Sequence, residues 1–128
     1  MDLTWYNTIN KPALNPPPEI FGPVWAFMYT LIFISFTTFM YAKTDLNKKQ
    51  GLTFFLIQLL LNFSWSPAFF YLHDIKLSFI IIVFLLIFII LTTISFYKVS
   101  KISAFLLIPY LLWVSFATYL NFELMRLN

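Results

Sequence analysis

Cysteine is absent from the chain, histidine occurs once, glycine twice, and charged residues are scarce. Without cysteine there is no disulfide framework, no thiolate metal site and no cysteine nucleophile. His73 alone cannot build a histidine cage for a metal, and no metal site is expected. Gly22 and Gly51 do not make a phosphate-binding loop. The five carboxylates (Asp2, Glu19, Asp45, Asp74 and Glu123) all lie in connecting segments or at the ends of apolar stretches. No pair of them shares a buried face, and no Ser–His–acid arrangement is visible. His73 sits beside Asp74 at such an end, where a turn or capping role suits it better than catalysis. Hydrolase, kinase and metalloenzyme chemistry are therefore disfavoured. Charged residues make up 10% of the 128, with 61% hydrophobic and 22% aromatic. A soluble domain carries about 25% charged residues, so too little polar surface is left to face water. The net charge of +3 comes from few groups and gives no reason to expect a nucleic-acid partner. The chain reads as a single-domain integral membrane protein whose first partner is the lipid bilayer.

What is present is long apolar runs. Residues 20–42, 52–72, 77–96 and 102–122 contain no charged side chain, and each run is 20 to 23 residues long. At 1.5 Å per residue such a run crosses the roughly 30 Å hydrocarbon layer as a helix. Backbone amides in lipid must be satisfied internally, which leaves helices or a closed barrel. Residues 79–91 are thirteen apolar residues without the alternation a barrel strand requires, so helices are expected. The connectors, 43–51, 73–76 and 97–101, are short and join antiparallel neighbours. The sequence predicts an all-α integral membrane fold of four antiparallel transmembrane helices, with both termini on one face. Lys43, Lys48, Lys49, Lys98 and Lys101 lie on one face, and Lys11, Lys76 and Arg126 on the other. This bias puts the first and third connectors in the cytoplasm and both termini outside. Abundant Phe, Ile, Lys and Asn hint at an AT-rich bacterial genome and hence a bacterial cell membrane. No signal-peptide pattern is seen in residues 1–19.

Residues 1–19 hold Pro12, Pro16, Pro17 and Pro18, which exclude regular helix there, interleaved with Trp5, Tyr6 and Leu14. Two readings are open: an interfacial anchor at headgroup level, or an ordered lid over the mouth of the bundle. Polar residues within the spans also need a reason. Gln58, Asn62, Trp65 and Phe69 recur at steps of four, three and four and share one face of the second span. Pro109, Trp113, Ala117 and Asn121 repeat the design on the fourth, and Trp25 and Tyr29 on the first. The third span has only Ser78, Thr92, Thr93 and Ser95, all near its ends. The first, second and fourth spans are thus expected to face one another, with the third mostly facing lipid. Amide side chains there serve either as interhelical glue, at about 0.6–2 kcal/mol per hydrogen bond, or as polar points in an aromatic cavity. Glue is the commoner use of such residues, but Trp65 and Trp113 fall at mid-span, where an interfacial tryptophan does not sit, which argues in part for a cavity suited to a flat, hydrophobic ligand.

Three blocks of the sequence resemble the TspO/translocator protein family of tryptophan-rich sensory proteins. The first is Trp5-Tyr6, Lys11-Pro12, Pro16-Pro17 and Phe21-Gly22-Pro23-Val24-Trp25, with Tyr29 after it. The second is Gln58-Leu59, Leu61-Asn62 and Trp65-Ser66-Pro67 running into Phe69-Phe70. The third is Pro109-Tyr110-Leu111, Trp113, Ala117 and Leu120-Asn121-Phe122, closing with Met125-Arg126-Leu127-Asn128. The resemblance implies a small helical membrane receptor, sensor or carrier that binds porphyrin or haem and other flat hydrophobic molecules, commonly as a homodimer, with no obligatory cofactor. It implies Trp25, Tyr29, Asn62, Trp65, Phe69, Trp113 and Ala117 as ligand-binding residues. Tyr6, Lys11, Pro12, Pro16 and Pro17 would belong to the lid. Some bacterial relatives resemble a weak enzyme that degrades porphyrin in light, for which Trp25 and Trp113 would be the counterparts here; no other catalytic residue is implied.

The family has five transmembrane helices, the first preceding the Trp-Tyr block, whereas four residues precede Trp5 here. The expectation is a five-helix bundle minus its first helix. The family's C-terminal sterol pattern is not met: its tyrosine falls on Phe122, so porphyrin rather than sterol is the expected ligand. A small multidrug-type exporter is the alternative of similar size. Proton coupling needs a carboxylate within the membrane, and the first span offers only Glu19, which lies ahead of it.

Overall fold

Proline and the charged connectors decide where the helices start, break and stop. The computed structural model describes residues 4–13, 15, 16 and 18–128. Among them, a short helix α1 (Thr4–Thr8) precedes the proline-rich segment, and one turn at Pro18–Ile20 leads into α2 (Phe21–Tyr41). Then come α3 (Lys49–Ser66), α4 (Ile75–Val99), α5 (Lys101–Leu106) and α6 (Ile108–Leu127), with no strand among the described residues. Among the described residues, four spans are long and apolar enough to cross a membrane: Gly22–Tyr41, Lys49–Tyr71, Ile75–Val99 and Lys101–Leu127, the last made of α5 and α6 together. The second, third and fourth run past the uncharged stretches, and Lys49, Lys76, Lys98 and Lys101 at their ends can carry their charges to headgroup level on long apolar stems.

Pro67 has no N–H with which to continue α3. The chain widens into a π turn over Pro67–Tyr71, where the Leu72 N–H reaches the Pro67 carbonyl at 3.0 Å. This turn buries three successive side chains, Ala68, Phe69 and Phe70, more than one face of a regular helix would. Pro109 interrupts the fourth span in a related way: the Leu107 N–H falls back to the Ala104 carbonyl at 3.0 Å before α6 begins. Side chains cap two further ends, the start of α4 and the end of α2. Asp74 Oδ1 accepts the Leu77 N–H at 2.9 Å, and Lys48 Nζ donates to the Met40 and Ala42 carbonyls at 2.8 and 2.6 Å. His73 holds a left-handed φ of 52° between the π turn and α4, a turn position as its sequence context indicates.

The packing corrects the expected arrangement. α4, anticipated to face lipid, packs against α3, α5 and α6 and is the central helix. Its buried stripe is Ser78, Ile82, Leu85, Ile89, Thr92 and Phe96, at alternating steps of four and three. In a bilayer an apolar side chain is equally at home against lipid or against another helix, so absence of polarity does not mark a lipid face. α2 packs on α5 and α6, where Ser35 Oγ donates to the Ser103 carbonyl at 2.6 Å. At the end remote from the lid, Phe39 stacks on Phe96 with centroids 4.0 Å apart. Gly51 lies against that pair; a Cβ on it would meet Phe39 Cζ at 2.8 Å.

Candidate functional site: an aromatic cavity beneath an N-terminal lid

A cavity of about 250 Å³ lies where α2, α3, the π turn, α4 and α6 converge. α2 contributes Trp25 and Tyr29, one turn apart, with ring centroids at 5.6 Å. Across from them on α6, Trp113 meets Trp25 edge-to-face at 6.4 Å and 85°, and Ala117, a turn further on, leaves the open space. α3 and the π turn supply Asn62, Trp65 and Phe69, with Trp65 stacked on Phe69 at 5.1 Å. All seven residues implied as ligand-binding therefore line one cavity.

Hydrogen bonds fix the polar groups of this wall. Tyr29 Oη donates to Asn62 Oδ1 at 2.5 Å, Asn62 Nδ2 donates to Tyr110 Oη at 2.7 Å, and Tyr110 Oη donates to Gln58 Oε1 at 2.8 Å. The chain runs through α2, α3 and α6 and ends on Gln58 Nε2, which is buried with no partner among the described residues. A second tie joins Trp65 Nε1 to Asn121 Oδ1 at 2.9 Å, while Asn121 Nδ2 donates to the Ile75 carbonyl at 3.2 Å. Asn62 and Asn121 thus act as interhelical glue and as cavity wall at once.

The N-terminal segment covers the end of the cavity. Tyr6 of α1 is 2% exposed and packs with Phe69, Phe70 and Leu124. Asn15 Nδ2 donates to Tyr6 Oη at 2.6 Å, and Lys11 Nζ lies 4.9 Å from the Tyr6 ring centroid. Burial pushes the Tyr6 hydroxyl above its ordinary range, with the Asn15 hydrogen bond pulling partly the other way. Trp5 stacks on His73 at 4.5 Å. The far side is held by Asn10, whose N–H donates to Asn128 Oδ1 at 3.0 Å, and by Asn128 Nδ2, which donates to the Asn10 carbonyl at 2.9 Å. Lys11, Pro12 and Pro16 do not line the cavity. The Pro12 carbonyl accepts the Asn15 N–H at 3.1 Å, and that of Pro16 accepts from Asn15 Nδ2 at 3.2 Å, so they set Asn15 against Tyr6. Pro17 lies outside the described residues.

Sequence reasoning missed Asn15, Phe70, Ile82, Leu85 and Leu124, which also line the cavity. Phe70 depends on the π turn, and Ile82 and Leu85 on the central place of α4; neither leaves a periodic signal in the sequence.

The fold and the cavity define an integral helical membrane protein with a cavity between its spans and a folded segment over one end. The chain belongs to the TspO/MBR family, whose model matches residues 1–127. It is 41% identical over 127 residues to the tryptophan-rich protein TspO of Chlorobaculum tepidum, covering 97% of this chain and 79% of the relative. The tryptophan-rich sensory protein of Cereibacter sphaeroides is 34% identical, covering 97% and 77%. The human translocator protein is 32% identical, covering 98% and 76%.

Proposed function

We propose that this protein is a membrane receptor, sensor or carrier that takes a tetrapyrrole, porphyrin or haem, into the cavity beneath its lid. One observation carries the reading: Trp25, Trp65 and Trp113, from three different helices, line a single cavity together with the Asn62 amide. Such walls give a flat macrocycle broad π contact, and the Asn62 carbonyl offers a fixed acceptor for a ring N–H or a bridging water. The relatives' names, sensory protein and translocator protein, agree with signalling or transfer as the outcome. Titration of protoporphyrin IX into the protein in lipid nanodiscs, followed by tryptophan quenching, is expected to saturate at one ligand per chain. Linear, unsaturable quenching identical to that of empty nanodiscs would remove the proposal.

A second reading is supported by the Trp25–Trp113 edge-to-face pair. Two indoles beside an excited porphyrin are suited to light-driven breakdown of the ligand with oxygen as oxidant. Bleaching that persists unchanged in the W25F/W113F variant would eliminate their part in it. We further infer a homodimer in a bacterial cell membrane, with both termini outside according to the lysine bias. The chain has no cysteine, so N128C should be labelled on intact cells by an impermeant maleimide, and K49C should not.

A further inference from the structure

We propose that the ligand is a flat macrocycle bearing free carboxylates, that its acidic edge lies under the lid, and that Lys11 is the residue that receives it. The proposal rests on the reading of the cavity as a tetrapyrrole site and adds which tetrapyrroles that site takes. Protoporphyrin and haem are amphiphiles: both carboxylates sit on one edge of the ring, and the rest of it is apolar. An ionised carboxylate only accepts hydrogen bonds, and it is costly to bury without donors or a counter-charge. The charges around the cavity therefore decide which way round such a ring binds.

Among the described residues, no charged side chain lines the cavity. Its amide N–H groups already make bonds within the protein: Asn15 to Tyr6 and the Pro16 carbonyl, Asn62 to Tyr110, and Asn121 to the Ile75 carbonyl. α4 runs away from the lid, so Ile82 and Leu85 line the deep part of the cavity, where they offer a carboxylate no donor. The apolar body of the ring belongs there, and the acidic edge at the other end.

The lid end offers what the deep part lacks. Lys11 Nζ lies 4.9 Å from the centroid of Tyr6, whose ring packs on Phe69 and Phe70 of the cavity wall. Lys11 thus stands one ring behind the wall, half-buried, with no carboxylate at ion-pair distance among the described residues. Its hydrogen bond goes to the Ile9 carbonyl, two residues back, at 3.2 Å. An ammonium has three N–H donors on a flexible stem, so Nζ can turn from Ile9 to a ligand without disturbing the lid. The other charges at this end are placed differently. Arg126 is paired with Glu123 at 2.6 Å, Asp74 caps α4, and Lys76 and Glu19 are exposed. A half-buried cation without a counter-charge bears a desolvation cost that a carboxylate beside it offsets.

The test titrates the protein, in nanodiscs of neutral phosphatidylcholine, with protoporphyrin IX and with its dimethyl ester, which keeps the ring and removes both charges. The ratio of the two affinities is compared between variants, so that unequal partitioning of the two compounds into lipid cancels. K11Q should weaken the acid about five- to tenfold, the effect of a partly exposed charge-assisted hydrogen bond, and the ester by less than about twofold. The retained ester affinity also shows that the cavity of K11Q is intact. K11R keeps the charge and should stay within about twofold of the parent for both compounds. K76Q removes a second cation from the same face and should leave the ratio unchanged. A ratio in K11Q equal to that of the parent, or one that falls as far in K76Q, would overturn the proposal while leaving the cavity a ligand site. Saturable binding of neither compound would remove the ligand reading, and the role of Lys11 with it.

Discussion

Asn62 is the residue on which the most contacts depend. It is 5% exposed, accepts from Tyr29 and donates to Tyr110, and so joins α2, α3 and α6 at one amide. Gln58, one turn earlier, is equally buried but spends only its carbonyl, leaving Nε2 without a partner among the described residues. The two amides should therefore respond differently to replacement by leucine. Interhelical hydrogen bonds in membranes average about 0.6 kcal/mol, while a stranded buried polar group costs about 1–3 kcal/mol. N62L, which breaks two bonds, strands the Tyr29 hydroxyl and leaves Tyr110 bound to Gln58 alone, should destabilise by about 2 kcal/mol or more. Q58L breaks one bond and leaves the buried Tyr110 O–H without its acceptor, but also removes an unpaired donor, so it should cost about 1 kcal/mol, less than N62L. Detergent-titration unfolding measures both, and equal losses for the two variants would contradict the network. At this scale the sequence was informative where residues repeat at helical spacing, as Asn62, Trp65 and Phe69 do. Tyr110 carried no such mark, because a tyrosine in an apolar run reads as packing until its hydroxyl's partners are seen.

Helices in this molecule are positioned by their interruptions and close approaches. Pro67 opens the π turn that turns Phe69 and Phe70 inward, and Pro109 separates α5 from α6. At the opposite end, Gly51 lets α3 come up against Phe39, which cannot swing away because it is 1% exposed and stacked on Phe96. G51A should therefore cost about 1–3 kcal/mol, the usual penalty of overpacking. G22A, with nothing within 4 Å of the added carbon, should leave the melting temperature unchanged. Thermal unfolding of both in detergent is the check, and equal melting would show that the Gly51 contact is not needed. Helix number and approximate extent were legible from charge-free stretches, since the bilayer imposes one length on all of them. The partners of each helix were not. α4 has few polar residues and from sequence reads as a lipid-facing helix, yet its apolar stripe Ile82, Leu85 and Ile89 is central. Hydropathy separates water from hydrocarbon, and in a membrane both environments of α4 are hydrocarbon.

As a whole, the molecule sets aromatic rings from three spans around a space and folds its N-terminal segment over one end. The motif blocks that resemble the TspO/translocator family are the parts of the sequence that build this space. Asn15, supplied by the loop, and Ile82 and Leu85, supplied by α4, complete it from outside the recurring positions. The proposed function requires that this space receive the ligand. Ala117 is the small residue on its α6 wall, and A117F fills the space from a half-buried position without removing any hydrogen bond made by the alanine side chain. The decisive measurement is the affinity of protoporphyrin IX for A117F against the parent in the same nanodiscs. A loss of about tenfold or more with an undiminished melting temperature is the predicted result. Equal affinity in a folded A117F protein would put the ligand elsewhere and contradict the account.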